Sequence, residues 1–251
     1  MPKIKKKIPC SAQVFGSEKR DPSPQVRKDD KGEIADILGT LPDWVLTEYI
    51  KKGIIKIDPL VKDWEEAVDE VTIDFHLGSS LRVFTDEGLN TIDTRYASKK
   101  DMESMMRLVQ LKPGQPFILT EHDFVIATTR ERLTLPDNIV GHLHGKSSLA
   151  RLGVVVHSTA ARFDPGWNGH PVLEFGTFLK GKKLVIYEGS PICAFSFEKL
   201  GAAVKRSYKN SPNNRYGGSK LPEVSNMMGK KINLSEKKKS NLFGRKKSGK
   251  K

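Results

Sequence analysis

From Leu111 to Leu200 the chain is cut into short apolar segments that no long helix can use. LKPGQPFIL, HDFVIATTRERLTLP, NIVGHLHG, GVVVHS, HPVLEFGTF and KKLVIYEGSPICAFSFEKL follow one another with Gly, Pro or Asn-Gly between them. β-branched and aromatic residues dominate these segments, and the turns leave no room for the helical crossovers that parallel strands require. The rhythm predicts a mainly β fold, a closed antiparallel sheet or jelly roll rather than alternating strands and helices. VTIDFHL and LRVF, parted by Gly-Ser-Ser at 78–80, carry the same character upstream.

Ahead of those strands, helical signals begin with EIADILG and strengthen at LPDWVLTEYIKKG. There Asp43 is placed to cap a short N-terminal helix, Trp44, Leu46 and Ile50 approximate an apolar face, and Gly53 stops it. Residues 96–110, YASKKDMESMMRLVQ, read equally as a short helix or a polar insert.

A hydrophobic share of 37% over 251 residues supports a buried core and excludes wholesale disorder. No apolar run approaches the ~18 residues of a membrane span, and MPKIKKKIPC lacks the apolar middle of a secretory signal. Cys10 and Cys193 lie too far apart for a disulfide framework, so reduced thiols and a cytoplasmic location are expected. The net charge of +13 belongs to the ends: residues 1–7 carry four lysines and no acid, and residues 229–251 carry ten Lys/Arg and one Glu. Residues 8–228 are therefore formally neutral. These shifts divide the chain into a flexible basic and polar leader (1–32), a folded domain (33–219) and a basic, disordered tail (220–251). The ends suit either plain solvation or nonspecific contact with nucleic acid or another polyanion.

Chemistry-bearing residues crowd into GKSSLARLGVVVHSTAARFDPGWNGHPVLEF, residues 145–175. His142 and His144 share one face of a strand, but Lys146-Ser147-Ser148 follow where a cupin-type metal site wants a glutamate. Nor does the chain hold a Cys-x-x-Cys zinc motif, so no protein metal site is expected. GKSS has the look of a phosphate loop, yet Val140 replaces the upstream glycine, and Gly153 followed by valines argues against the helix such a loop needs. Lys146, Ser147, Ser148 and Arg151 remain a candidate anion cradle. Glu174, among Val172, Leu173, Phe175 and Phe178, is either an acid/base carboxylate tuned by burial or a structural partner of Arg151. Asp164, in Asp-Pro-Gly, is either a plain turn residue or a ligand contact.

As a set, these residues resemble a known family. Gly-Lys-Ser-Ser-Leu-Ala-Arg-Leu-Gly, then Val-His-Ser-Thr-Ala-Ala-Arg-Phe-Asp-Pro-Gly-Trp-Asn-Gly, then Val-Leu-Glu-Phe, is similar to the central motif of dCTP deaminases. That family belongs to the trimeric dUTPase-like superfamily. The resemblance is strongest over residues 130–200, SFEKL included, weaker at LPDWVLTEYIKKGIIKI and VTIDFHLGSSLRVF, and leaves out both ends. It implies a distorted antiparallel β-barrel or jelly roll of the dUTPase-like type with a short N-terminal helix. It also implies hydrolytic, metal-free deamination of dCTP to dUTP and ammonia, feeding thymidylate synthesis, by a homotrimer with shared sites.

Carried over by motif position, the resemblance implies Glu174 as general acid/base, with Ser147 and the Ala160 carbonyl holding the attacking water. Arg151 would orient Glu174 or stabilise charge, Lys146 and Ser148 would bind triphosphate, and Asp164 would face the deoxyribose. The backbone of Val172 and Leu173 would read the cytosine edge. SYKNSPNNRYGGS resembles the family's closing segment, which implies Tyr208, Arg215 and Ser219 near the nucleotide. Magnesium would enter only with the triphosphate, and no zinc is implied.

The chain departs from the pattern at several points. Lys146 replaces the usual arginine, keeping charge but losing the bidentate fork; Arg215 takes a position often lysine, and Ser219 one usually glutamine. GHLHG lacks the acid that commonly precedes its final glycine. Ala194 stands where bifunctional members, which also hydrolyse dUTP, often place a glutamine. A dUTPase, a bifunctional enzyme and an inactive nucleotide-binding regulator are the alternatives; Ser147 and Glu174 argue against the last.

Overall fold

The computed structural model describes residues 37–226 except 89, 90, 95, 122 and 213. Cys10, the whole leader (1–32) and the lysine-rich end of the tail lie outside the described residues. The chain starts with β1 (Gly39–Thr40), α1 (Asp43–Lys51), β2 (Lys56–Asp58) and β3 (Ile73–Phe84). Next come α2 (Lys99–Ser104), β4 (Met106–Gln110), β5 (Pro116–Leu119), β6 (Phe124–Thr129) and β7 (Arg132–Thr134). β8 (Ile139–Gly145), α3 (Ser147–Ala150), β9 (Val154–Val155), β10 (Arg162–Phe163) and β11 (Asn168–Gly169) carry most of the motif residues. β12 (Val172–Thr177), β13 (Leu184–Tyr187) and β14 (Pro191–Lys199) complete the strands.

Every pairing is antiparallel, as the strand rhythm predicts. The main sheet runs β10-β8-β14-β3-β6-β12-β9, with β1 joining β14 and β4 joining β3. In that order β8 and β9 stand five steps apart, about 24 Å on a flat sheet at ~4.8 Å per step. The eight residues 146–153 that link them include the four of α3, and so reach only about 20 Å. The sheet must therefore curl, and its two ends approach one another around the α3 connection. A mainly β, curled antiparallel fold with one N-terminal helix is what the sequence predicts.

β3 is the hinge of that curl. The two strands expected on either side of Gly-Ser-Ser are one strand of twelve residues. Ile73–His76 pair with β14, and the remainder pairs with β4 and β6, with a register shift between Leu77 and Leu81. Gly78 permits it, since a Cβ there would sit 2.8 Å from the Thr128 carbonyl oxygen. Alternation along β3 buries Ile73, Phe75, Leu77 and Leu81, and Phe195 and Phe197 of β14 and Leu173 and Phe175 of β12 are likewise fully buried. Phe195 lies 4.6 Å from Phe75 and 5.0 Å from Phe163, ring centre to ring centre. Burial of each such side chain contributes ~1.5–3 kcal/mol.

Three expectations are corrected here. Thr40 lies in a strand, so EIADILG does not lead into a helix at its described end. Asp43 is the first residue of α1 rather than its cap: Pro42 occupies the cap position, and the acid sits in the first turn, where the helix dipole favours it. The buried face of α1 is Val45, Leu46, Tyr49 and Ile50, with Trp44 only half-buried. Gly53 does end the helix, with φ +65°. The ambiguous stretch 96–110 divides in two: a Ser98–Asp101 capping box nucleates α2, and β4 follows. No helix among the described residues is long and apolar enough to cross a membrane.

Candidate active site

The sheet delivers the motif residues from three directions. β8 ends at Gly145, and Lys146 stands at the cap of α3, whose first two residues are Ser147 and Ser148. The sequence argued against a helix after GKSS; a single turn forms nonetheless, and residues 151–153 close it with the Gly153 N–H donating to Ala150. Both serines and Arg151 are exposed at this corner. Lys146 is not free there. Its ammonium donates to both carboxylate oxygens of Asp74 on β3, at 2.6 and 2.5 Å.

β12 brings Glu174. Its neighbours Leu173 and Phe175 are fully buried on the core side, which leaves the Glu174 side chain half-buried on the other face. Pairing with Arg151 is not what holds it: the Ser158 backbone N–H donates to Glu174 Oε2 at 2.9 Å, and Oε1 has no partner among the described residues. The loop supplying Ser158 also carries Ala160, which is exposed. Val172 and Leu173 pair with Thr128 and Ala127 of β6 on one side of β12. On the other side β9 reaches only Gly176 and Thr177, so residues 172–175 lack a strand partner there among the described residues. Next to Ser158, the Nδ1 of His157 is buried without a hydrogen-bond partner among the described residues.

The third contribution is the turn between β10 and β11. The Trp167 N–H donates to the Asp164 carbonyl at 3.0 Å, and Arg162 Nε donates to the Asp164 carboxylate at 2.7 Å. Gly166, at φ +81°, must be glycine: a Cβ would lie 1.8 Å from Ser207 Oγ. Tyr208 packs on Trp167 with ring centres 5.1 Å apart, and burial pushes its phenol above the ordinary value. Arg215 donates to the Asn226 carbonyl at 2.9 Å, and the Ser219 hydroxyl lies within donating distance of the Leu221 carbonyl and of Glu223, at 2.9 and 3.0 Å. Within one chain the structure therefore joins Ser158 to Glu174, Lys146 to Asp74, and the Asp164 turn to Tyr208. It does not join Arg151 to Glu174.

Two polar clusters escaped the sequence reading. One is Asp74, the partner of Lys146; its signal was a lone acid on the polar face of an otherwise alternating strand. The other is Glu131, only 2% exposed, which accepts from the His76 N–H at 2.8 Å, His76 Nδ1 at 2.7 Å and Arg130 at 3.0 Å. Beside these groups Cys193 is a fully buried free thiol, and burial pushes its pKa well above the ordinary thiol range. His142 is held by Glu198 at 3.2 Å and His144 by Ser196 at 2.7 Å.

Residues 40–200 match the family model described as dCTP deaminase-like. The chain belongs to the dCTP deaminase-like family. The dCTP deaminase of Thermomicrobium roseum is 38% identical over 187 residues, a match spanning 74% of this chain and 93% of that protein. That of Idiomarina loihiensis is 40% identical over 182 residues, spanning 70% and 91%. A dUMP-forming dCTP deaminase of Dictyoglomus thermophilum is 33% identical over 187 residues, spanning 74% and 94%. Among solved structures, 2'-deoxycytidine 5'-triphosphate deaminase from Agrobacterium tumefaciens shares the fold, with a TM-score of 0.50 at 19% identity. That match covers 64% of this chain and 47% of the other. Membership of the dCTP deaminase-like family thus rests on the region that contains α1 through β14, the Glu174 strand included.

Proposed function

We propose that this protein deaminates dCTP hydrolytically to dUTP and ammonia, with Glu174 as the general acid/base. The observation that carries this reading is the carboxylate of Glu174 on β12, one oxygen fixed by the Ser158 N–H and the other without a partner among the described residues. Water attacks C4 of cytosine, and Glu174 takes its proton and delivers it to N3. A second transfer from the hydroxyl at C4 to the amine releases ammonia, so water and dCTP account for every atom of the products. Ser147 and the Ala160 carbonyl hold the water, and Arg151 supplies positive charge near the reacting carboxylate. Residues 172–175, which lack a strand partner on one side among the described residues, give the cytosine edge a backbone to pair with.

The anion cradle follows from the same corner. Lys146 and Ser148 meet the triphosphate, Asp164 faces the deoxyribose, and Tyr208, Arg215 and Ser219 lie along the nucleotide's exit side. Magnesium arrives with the triphosphate as part of the substrate. The zinc-free course rests on donor chemistry: His142 and His144 are committed to Glu198 and Ser196, and Cys193 is a buried thiol.

The orphaned Nδ1 of His157 beside Ser158 suits a site completed by a further group. A homotrimer with shared sites would supply one. Ile118, Phe178, Val185 and Tyr187, between 45% and 76% exposed, offer apolar surface for such contacts. Light scattering that returned a stable, fully active monomer would refute the trimer. This reading suits a cytoplasmic enzyme that supplies dUTP for thymidylate synthesis.

The test is incubation with dCTP and, separately, dUTP, with ammonia and pyrophosphate measured independently and a zinc chelator present. Ammonia without pyrophosphate is the expected result. Pyrophosphate from either nucleotide would assign the bifunctional activity instead. No ammonia from dCTP, or ammonia only after zinc is restored, would overturn the mechanism.

A further inference from the structure

Beyond β14 the chain is fastened at two separate places. Near its start, Ser207 Oγ donates to Asp137 at 2.7 Å, and the Tyr208 N–H donates to the Pro165 carbonyl at 2.8 Å. Farther on, the Gly218 N–H donates to the Asn168 carbonyl at 2.7 Å. These bonds tie the segment to the Asp164 turn. At its far end it is tied to α2 and β3. Lys99 Nζ lies 2.6 Å from Glu223, and Arg82 Nε donates to the Pro222 carbonyl at 2.7 Å. Val224, 1% exposed, packs with Ala97, Met102, Met105 and Met106.

This second fastening is built from local chemistry. The Ser98–Asp101 capping box forms α2 and so fixes Lys99 and Met102 on one short helix. Glu223 is held from both sides, by Lys99 and by Ser219 Oγ at 3.0 Å. Arg215 lies between the Tyr208 and Gly218 bonds of the first fastening, and its guanidinium is tied to the end beyond the second by donating to the Asn226 carbonyl at 2.9 Å. Asn226 in turn donates its N–H to the Tyr216 hydroxyl at 3.1 Å. Val224 is the anchor at this end, because it is 1% exposed whereas nearby Leu221 is 42% exposed.

We propose that Glu223 and Val224 are positioning residues, a latch that holds segment 207–226 on α2 and so sets Arg215 and Tyr208 for the nucleotide triphosphate. The inference rests on the dCTP reading above. It gives Ser219 a role in place of a ligand contact: its hydroxyl serves Glu223. The latch has two halves of different character. The Lys99–Glu223 pair is 44% and 28% exposed, so salt reaches it, whereas the Val224 contact is apolar and salt-insensitive. Opening the latch lowers the fraction of protein with Arg215 in place, which weakens apparent binding in proportion. Glu174, on β12, is untouched by it.

The experiment uses the full chain and four variants: Glu223→Lys, Lys99→Glu, the double charge swap, and Val224→Ala. Glu223→Lys should raise KM for dCTP about three- to tenfold while kcat stays within about twofold. The double swap should return KM to within about twofold of wild type, which a loss of general stability would not allow. Val224→Ala should raise KM without adding salt dependence. Trypsin cleavage at Arg215, measured without nucleotide, should quicken in Glu223→Lys and slow again in the double swap. Unchanged KM in both Glu223→Lys and Val224→Ala, or no rescue by the swap, overturns the latch. If the wild type does not turn over dCTP, the functional reading fails by itself; the cleavage rates then judge the latch, and equal rates in Glu223→Lys and wild type overturn it.

Discussion

Lys146 Nζ lies 2.6 and 2.5 Å from the two carboxylate oxygens of Asp74, a residue 72 positions earlier on another strand. β14 runs between their strands and presents small Ala194 opposite both Asp74 and His144, which leaves the lysine a clear path. The pair fixes the one cation at the α3 corner that is not an exposed arginine. Asp74→Asn keeps the shape and removes the charge. Weakening this partly exposed ion pair by about 1 kcal/mol corresponds to roughly a fivefold rise in KM for dCTP, with kcat little changed. Steady-state kinetics checks this, and an unaltered KM would show that the position of Lys146 does not depend on Asp74.

Glu174→Gln should lower kcat by about 10²–10⁴-fold, the usual contribution of a general acid/base group. The amide oxygen can still accept from the Ser158 N–H, so the strand and the dCTP affinity should persist. Rapid-quench kinetics together with equilibrium binding separates the two effects. A variant within a few-fold of wild type in kcat assigns the base elsewhere.

The strand pattern was legible because period-two alternation states which side chains face the core: Ile73, Phe75 and Leu77 are all buried. The motif at 145–175 was legible as well, since its residues fall on consecutive turns and strand ends. Contacts across the sheet were not. Alternation places Asp74 and Lys146 on polar faces but says nothing of which strand lies beside which, and that depends on how β14 inserts between β3 and β8. The same limit hid the Glu131 site, because the segment HDFVIATTRERLTLP does not state that Glu131 lies against His76 of β3. Val224 escaped for a different reason: one valine among polar residues carries no periodicity, and residues 220–226 were assigned to the basic tail, although Val224 is packed against α2.

Glu131→Gln tests the most buried of the charged groups. Burial by itself would raise the carboxyl's pKa, but hydrogen bonds from the His76 side chain and backbone outweigh it and hold the value below the ordinary 4.5. A depressed carboxylate contributes stability that is present above its unfolded value and lost as pH falls through the folded one. Hydrogen bonds to a charged group are worth about 1.5–3 kcal/mol, so urea unfolding at neutral pH should show the variant less stable by that amount. The gap should shrink as pH drops below 4.5. A gap that is constant with pH would mean that the charge of Glu131 does not contribute.

Deleting residues 229–251 removes ten Lys/Arg and one Glu while retaining the residues of the Lys99–Glu223 and Arg215–Asn226 contacts. If the basic ends bind polyanions and the neutral body binds dCTP, the two activities should separate. Turnover of dCTP should be nearly unchanged in the truncated protein. Retention on a polyanion column should fall, and with it the salt dependence, because log affinity declines with log salt in proportion to the phosphates neutralised. The comparison is full-length against truncated protein, in dCTP kinetics and in elution across a salt gradient. A lysine-rich end that reached the triphosphate would behave differently, raising KM by more than about tenfold on deletion, equivalent to ~1.4 kcal/mol of binding. That result would place the basic end in the nucleotide site and overturn the division of charge between body and ends.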